Sequence, residues 1–313
     1  MTTAPSTTHA ASQPARRTYV EATDVASAVA AMSAGARPVA GGTDLVVGAR
    51  HGKAPLPDSL VGRHRIGELA SLGRLPSGGL RIGALVTHAT LAENGDVLAS
   101  CTGLADASAI VGSHATRANG TLGGNVMNAS PAMDTGAPLL CHGAVAVLVG
   151  PGGERRVPLT DLWTGPGRTS AGADELLVAV ELEPVADRSG SAYVRLQYRR
   201  QMEIAVVGCA AVVTIDEGGI VTDARVAISA LSPVIERIPE AEAALVGSDG
   251  ATAIEAAAAA VAAASRPISD VRASADYRRA MAQVMGRRAV LTALRRAHGE
   301  SIAVPASDTT FGS

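Results

Sequence analysis

Two glycine pairs about eighty residues apart constrain this chain more than any other feature. Gly41-Gly42 lies within Val39-Ala40-Gly41-Gly42-Thr43-Asp44-Leu45, and Gly123-Gly124 within Thr121-Leu122-Gly123-Gly124-Asn125. A glycine pair bends the backbone through φ > 0 and keeps Cβ atoms out of a ligand's way, so consecutive N–H groups can converge on an anion. One hydrogen bond to a charged group contributes roughly 1.5 to 3 kcal/mol net. A single loop therefore holds a diphosphate weakly against water, whereas two loops closing from opposite sides hold it well. The first loop alone reads as a tight turn with no ligand; its pairing with the second reverses that reading.

A chain of 313 residues accommodates two domains or one large one. Hydrophobic residues at 47% and charged residues at 18% fit a folded, soluble protein. A net charge of −2 and aromatic content of 2% argue against nucleic-acid binding, which needs a basic face and stacking rings. Cys101, Cys141 and Cys209 are too widely spaced for a disulfide framework or a metal or cluster run, so each reads as a small buried hydrophobe. No apolar stretch approaches the roughly 20 residues of a membrane span. Residues 1–17, rich in Thr, Ser, Ala and Pro, lack the pattern of a secretory signal and read as a disordered tail on a cytoplasmic protein.

Along the chain, a helical pattern runs from Tyr19 to Met32, with Thr23 or Asp24 as N-cap, and Arg37 to Ala40 forms a strand leading into the first glycine loop. Leu45 to Gly48 reads as helix or strand. Leu60 to Ala70 gives a strand and a short helix, Leu80 to Ala84 a strand, and helices begin at Thr87 and cover Leu104 to Val111. Ala144 to Val149 and a return through Arg156 form a hairpin, and Asp174 to Leu182 is another strand. The segment Glu183 to Gly190 is the candidate domain boundary. Three antiparallel strands follow, at Ala192–Leu196, Val206–Ile215 and Arg225–Ala230, and then helices at Ala251–Ala264 and Ser274–Ala297. The pattern is α+β throughout.

At these residues the chain resembles the FAD-binding medium subunit of molybdenum hydroxylases, the carbon monoxide dehydrogenase and xanthine dehydrogenase flavoprotein family. The resemblance rests on the first glycine loop, on the long run Thr121 to Asp134, on Gly165-Pro166-Gly167 and on Tyr193 through Arg200, and it covers about Tyr19 to Ala297. It implies a two-lobed FAD domain of the vanillyl-alcohol-oxidase (PCMH) type over residues 18–186, with lobes of about 18–75 and 76–186. A smaller α+β domain of three antiparallel strands plus helices follows over 187–300, with a flexible tail over 301–313. Carried over by position, Val39, Ala40, Gly41, Gly42, Thr43, Asp44 and Leu45, with Thr121, Leu122, Gly123, Gly124 and Asn125, would bind the diphosphate through backbone N–H groups from each lobe. Asp134 matches an acidic cofactor contact, although by sequence it serves equally as an N-cap for a helix near Thr135. Val111 and Leu177 match apolar positions beside the cofactor. Arg195 stands where relatives place a lysine near the flavin; a planar fork is not interchangeable with an ammonium, and a cation there would raise the flavin potential. Leu60-Val61-Gly62-Arg63 departs from the acidic residue often found at that point, and no cluster-binding cysteine insertion is present.

Other motifs carry less. Gly48 to Ala54 lacks the spacing and the Ser or Thr of a P-loop, and no G-x-G-x-x-G fingerprint appears. His114 reads as a solvated loop residue. Arg278, Arg279, Arg287, Arg288, Arg295 and Arg296 read as a solvated helix face, with a docking surface as the alternative. No catalytic side chain and no metal ligand set is assigned. The resemblance implies an oxidoreductase subunit that passes electrons from a small subunit with 2Fe–2S clusters, fed by a molybdopterin-containing large subunit, through FAD to a terminal acceptor. A stand-alone FAD oxidoreductase and a cofactor-free scaffold are the alternatives.

Overall fold

The computed structural model describes residues 17–310, so the tail expected over 1–17 lies outside the described residues apart from Arg17. The first unit comprises β1 (Thr18–Glu21), α1 (Val25–Ser33), β2 (Arg37–Val39), α2 (Leu45–Arg50) and β3 (Ser59–Gly62). Its strands form a parallel sheet in the order β1-β3-β2. Tyr19, expected to open a helix, lies in β1 instead, because Thr18, Tyr19 and Val20 are strand formers and the helix has no start signal before Asp24. Asp24 accepts from the Ser27 amide at 2.7 Å and Ser27 reciprocates, a capping box that contributes about 1 kcal/mol. Ala28, Val29 and Met32 of α1 then bury with Val61 on one side and with Val147, Leu176 and Val178 on the other. The helix is thus the filling between this sheet and the next.

The second unit contains β4 (Leu72–Arg74), β5 (Leu80–Gly83), α3 (His88–Glu93), α4 (Gly95–Ser100), α5 (Thr102–Ala109), α6 (His114–Asn119), α7 (Leu122–Asn128) and α8 (Gly136–Cys141). It continues with β6 (Val145–Gly150), β7 (Gly153–Pro158), α9 (Leu159–Leu162), β8 (Trp163–Gly165), β9 (Arg168–Thr169) and β10 (Leu176–Leu182). Five strands pair in the order β4-β5-β10-β6-β7. Every residue of β10 is buried, as a central strand covered on both faces requires. A division at residues 75/76 would cut β4 from its hairpin partner β5.

The third unit is an antiparallel sheet of β11 (Ser189–Leu196), β12 (Val207–Ile215), β13 (Val221–Ser229) and β14 (Glu236–Arg237), with α10 (Pro239–Leu245), α11 (Ile254–Ala264), α12 (Ala275–Ala297) and α13 (Ala306–Thr310). The sheet has four strands rather than the expected three, since β14 pairs only Arg237 with Ala227 and Glu236 with Ile228, too short a run for alternation to reveal. Alternate residues of β11 and β12 serve different cores. Ala192, Val194, Cys209 and Ala211 pack under α11 and α12, while Tyr193, Ala210 and Val212 join the core of the second unit.

Two expectations about the C-terminal region are corrected. Arg278 and Arg296 are not on a solvated face: Arg278 donates to Val206 O and Asp270 at 2.7 Å, and Arg296 to Asp106 at 2.6 Å and Ser191 O at 2.7 Å. A 23-residue helix lying on a sheet turns its end residues toward the neighbouring segments. Arg279, Arg287 and Arg295 do stay exposed, each with a carboxylate partner. Nor is the stretch after residue 300 a free tail. Fully buried Asp106 also accepts from the Ala306 amide at 2.9 Å, and Ala306 and Ser307 are buried against β11, while residues 311–313 lie outside the described residues. Among the described residues no helix is long and apolar enough to cross a membrane.

Candidate functional site

The first glycine stretch leaves β2 and turns through Gly42, whose φ of 69° an L side chain rarely adopts, into α2. The turn is fastened by Val46 N to Gly42 O at 2.9 Å and Gly48 N to Asp44 O at 2.7 Å. Among the described residues the amides of Gly41, Gly42, Thr43 and Asp44 have no protein acceptor. Four adjacent donors are thus available to one ligand.

The second stretch is a helix start rather than a loop. Thr121 caps α7 by accepting from Gly124 N at 3.1 Å, Asn125 N bonds Thr121 O at 3.0 Å, Leu122 N bonds Val86 O at 2.9 Å and Gly123 N bonds Ala84 O at 3.0 Å. The amides of Leu122, Gly123, Gly124 and Asn125 are therefore committed inside the protein, while that of Thr121 has no acceptor among the described residues. Gly123 is required by close approach, since a Cβ there would stand 2.6 Å from Ala84 O. What this motif leaves for a ligand is the Thr121 amide and the half-buried Asn125 side chain, whose Oδ1 accepts from Thr135 Oγ1 at 2.6 Å and whose NH₂ has no partner among the described residues.

The fold does bring the two stretches together. A Cβ on Gly41 would overlap the carbonyl of Asn119, and Thr43 Oγ1 lies 3.4 Å from the Cβ position of Gly120, the residue before the Thr121 cap. Val39 ends β2 opposite Gly62, and Ala40 and Leu45 flank the turn. This junction is a cradle built largely from backbone and edged by Val39, Thr43, Val46 and His88, with free donors on one wall.

Asp134 and Arg195 form a different construction. Arg195 is fully buried and spends its five N–H groups on Asp134 at 2.7 Å, Glu203 O at 3.4 Å, Ile110 O at 3.1 Å, and twice on Gln197 Oε1. The other Asp134 oxygen accepts from Tyr193 OH at 2.8 Å, which also meets Ser229 Oγ at 3.1 Å. Burial pushes the Asp134 carboxyl up, opposed by Arg195 and Tyr193. Asp134 therefore caps no helix, and Arg195 keeps no donor for a ligand. The pair fastens β11 to the loop before α8. Leu177 is buried in β10, and Val111 is half-buried with its carbonyl accepting from Arg117 Nη1 at 3.1 Å.

Two residues near the cradle went unread in the sequence. Arg117 of α6 has no carboxylate partner among the described residues and also meets His114 Nδ1 at 3.1 Å, so His114 is tied to α6. His88 is 2% exposed, donates its amide to Gly120 O at 3.1 Å, and has its ring edge 3.4 Å from the Cβ position of Gly120. Burial first and Arg117 second lower its imidazole to about 4, so it is neutral at physiological pH, with Nδ1 unpartnered. No local motif marks either residue; only the contact between α3 and α6 does. Cys101, Cys141 and Cys209 are free and buried, and among the described residues no three His, Cys, Asp or Glu side chains group as a metal site.

Comparisons with known proteins bear on this geometry. The sequence model of the family described as the FAD binding domain in molybdopterin dehydrogenase matches residues 12–184, and that of the CO dehydrogenase flavoprotein C-terminal domain matches residues 191–293. The chain is 30% identical over 267 residues to a putative xanthine dehydrogenase FAD-binding subunit of Escherichia coli, covering 85% of this chain and 91% of the relative. It is 33% identical over 263 residues to the carbon monoxide dehydrogenase medium chain of Afipia carboxidovorans, covering 84% and 90%. Among solved structures, a carbon monoxide dehydrogenase from Hydrogenophaga pseudoflava superposes with a TM-score of 0.85 at 32% identity, covering 91% of this chain and 99% of that one.

Proposed function

The chain belongs to the FAD-binding family of molybdopterin dehydrogenases, and from that membership we propose that it is the FAD-carrying, electron-transferring subunit of a multi-subunit molybdenum hydroxylase. The observation that carries the reading is the glycine turn of residues 41–44, whose four amides have no acceptor among the described residues and which meets the backbone of Asn119 and Gly120. Such a turn fits the diphosphate of FAD, because backbone donors are fixed in place and no side chain must be ordered on binding. When bound, FAD supplies a ring that takes up electrons singly and releases them in pairs, a chemistry none of the chain's side chains offers.

The residues of the chain hold and shape the cofactor site. The turn of Gly41–Asp44 grips the diphosphate from the first lobe, and Thr121, Gly124 and Asn125 close the opposite wall. His88 underpins Gly120 as a neutral ring, and the Asp134–Arg195–Tyr193 network holds the C-terminal domain against the FAD domain. The working partners are a molybdopterin-containing large subunit and a small subunit with 2Fe–2S clusters, and the working compartment is the cytoplasm. Purification of the native complex tests the reading. Expected are one FAD per copy of this chain, with molybdopterin-bearing and cluster-bearing chains travelling with it. A folded, colourless chain that takes up no added FAD overturns it.

A further inference from the structure

Arg63 is a charge with no evident protein purpose. It directly follows β3, is 6% exposed, and among the described residues its side chain has neither a hydrogen bond nor an ion pair. Its Nε is occluded, while the two terminal nitrogens, also without partners, reach accessible surface. Burial lowers the guanidinium to about 10, and no carboxylate acts against that fall. A charge removed from water without a counter-charge is costly, and a protein tolerates one where a ligand brings the opposite charge.

Its position names that ligand. Strands β2 and β3 run parallel with Val39 opposite Gly62, so Ala40 and Arg63 leave the sheet side by side. Neighbouring strands lie about 4.8 Å apart. The Arg63 backbone thus adjoins the residue that opens the glycine turn, where the amides of Gly41 to Asp44 await an acceptor. Arg63 also follows Val61 by two residues, and Val61 faces the core shared with the second sheet, so the arginine stem starts on the inner face of its strand.

We infer that Arg63 is a diphosphate-binding residue whose guanidinium supplies the counter-charge at the cradle that the free amides of residues 41–44 begin. This rests on the reading of the cradle as an FAD site. A planar fork suits phosphate oxygens, and the charge balances an anion that amide dipoles alone would hold less firmly. The arrangement divides the labour between the two glycine motifs: the first wall carries charge and most of the free donors, and the second, with the amides of residues 122–125 committed, carries shape, the Thr121 amide and the Asn125 side chain.

The test uses the full-length chain stripped of flavin. FAD and inorganic pyrophosphate are titrated calorimetrically into wild type, R63M, R63Q and R63K, and each ligand-free protein is melted. Loss of one charged hydrogen-bonding partner predicts at least about tenfold weaker binding of both ligands by R63M and R63Q, with R63K intermediate. Ligand-free R63M should melt no lower than wild type, because an uncompensated buried charge has been removed. A smaller loss of affinity overturns the assignment, as does a ligand-free melting point that falls along with affinity, or failure of all three variants to fold. Wild type that binds pyrophosphate but not FAD overturns the cofactor reading and leaves Arg63 to be judged by the pyrophosphate series; wild type that binds neither overturns both.

Discussion

Replacing Arg195 by Met removes the centre of a buried polar network at the junction of the two domains. The substitution strands Asp134, 7% exposed, with Tyr193 OH as its only remaining side-chain donor, and takes donors from Ile110 O, Glu203 O and Gln197. Breaking a buried pair by removing one partner costs about 3–5 kcal/mol, because the other charge stays in a medium that does not solvate it. In a domain of 150–250 residues each kcal/mol moves the melting temperature by roughly 2–4 °C, so R195M should melt about 6–20 °C below wild type. The double variant R195M/D134L, apolar at both ends, should recover most of that loss, since the cost lies in the unpaired charge rather than in the absence of the pair. Circular-dichroism melts of wild type, the single variant and the double variant at saturating FAD supply the comparison. A melting point of R195M within about 2 °C of wild type, or a double variant no more stable than the single, would refute the reasoning.

The same variant tests the sequence expectation that Arg195 tunes the flavin: with all its donors committed to protein, R195M should leave the midpoint potential unchanged in a dye-equilibration titration, and a shift would restore a direct role. Gly41→Ala should abolish FAD retention after gel filtration, because the new Cβ overlaps the Asn119 carbonyl and pushes the two cradle walls apart; retained, stoichiometric FAD would count against the cradle. His88 and His142 are both lowered to about 4 by burial, with Arg117 and Arg225 adding to the effect. The folded state refuses protons that the unfolded chain accepts below about 6.5. The stability is therefore fully present above about pH 6.5 and is lost as pH falls toward 4, by about 2 kcal/mol per histidine at pH 5. Urea unfolding at pH 7.5 and pH 5 should show a smaller drop for H88Q/H142L than for wild type, and equal drops would disprove the assignment.

The glycine pairs were legible in the residues. Gly41-Gly42 and Gly123-Gly124 announce themselves as glycine pairs; the positive φ of Gly42 is a local requirement, whereas the close approaches of Gly41 to Asn119 and of Gly123 to Ala84 are not. The Asp24 cap, one of two candidates there with Thr23, was readable because a helix start is settled within four residues. Less legible was the status of the second motif, where Thr121-Leu122-Gly123-Gly124-Asn125 looks like an anion loop until its amides are found bonded to Ala84, Val86 and Thr121. Partners nearly forty residues away leave no trace in the local pattern.

The chain's own order of residues marked most of its strands and helices and the two glycine pairs. Tertiary structure alone decided the electrostatics. Arg195, Arg278 and Arg296 became internal fasteners, His88 a neutral support, and Arg63 a buried charge with no partner among the described residues. Backbone conformation responds to neighbours a few residues away, whereas the fate of a charge depends on how much water is removed from it and on what stands opposite, and both are fixed only when distant segments meet.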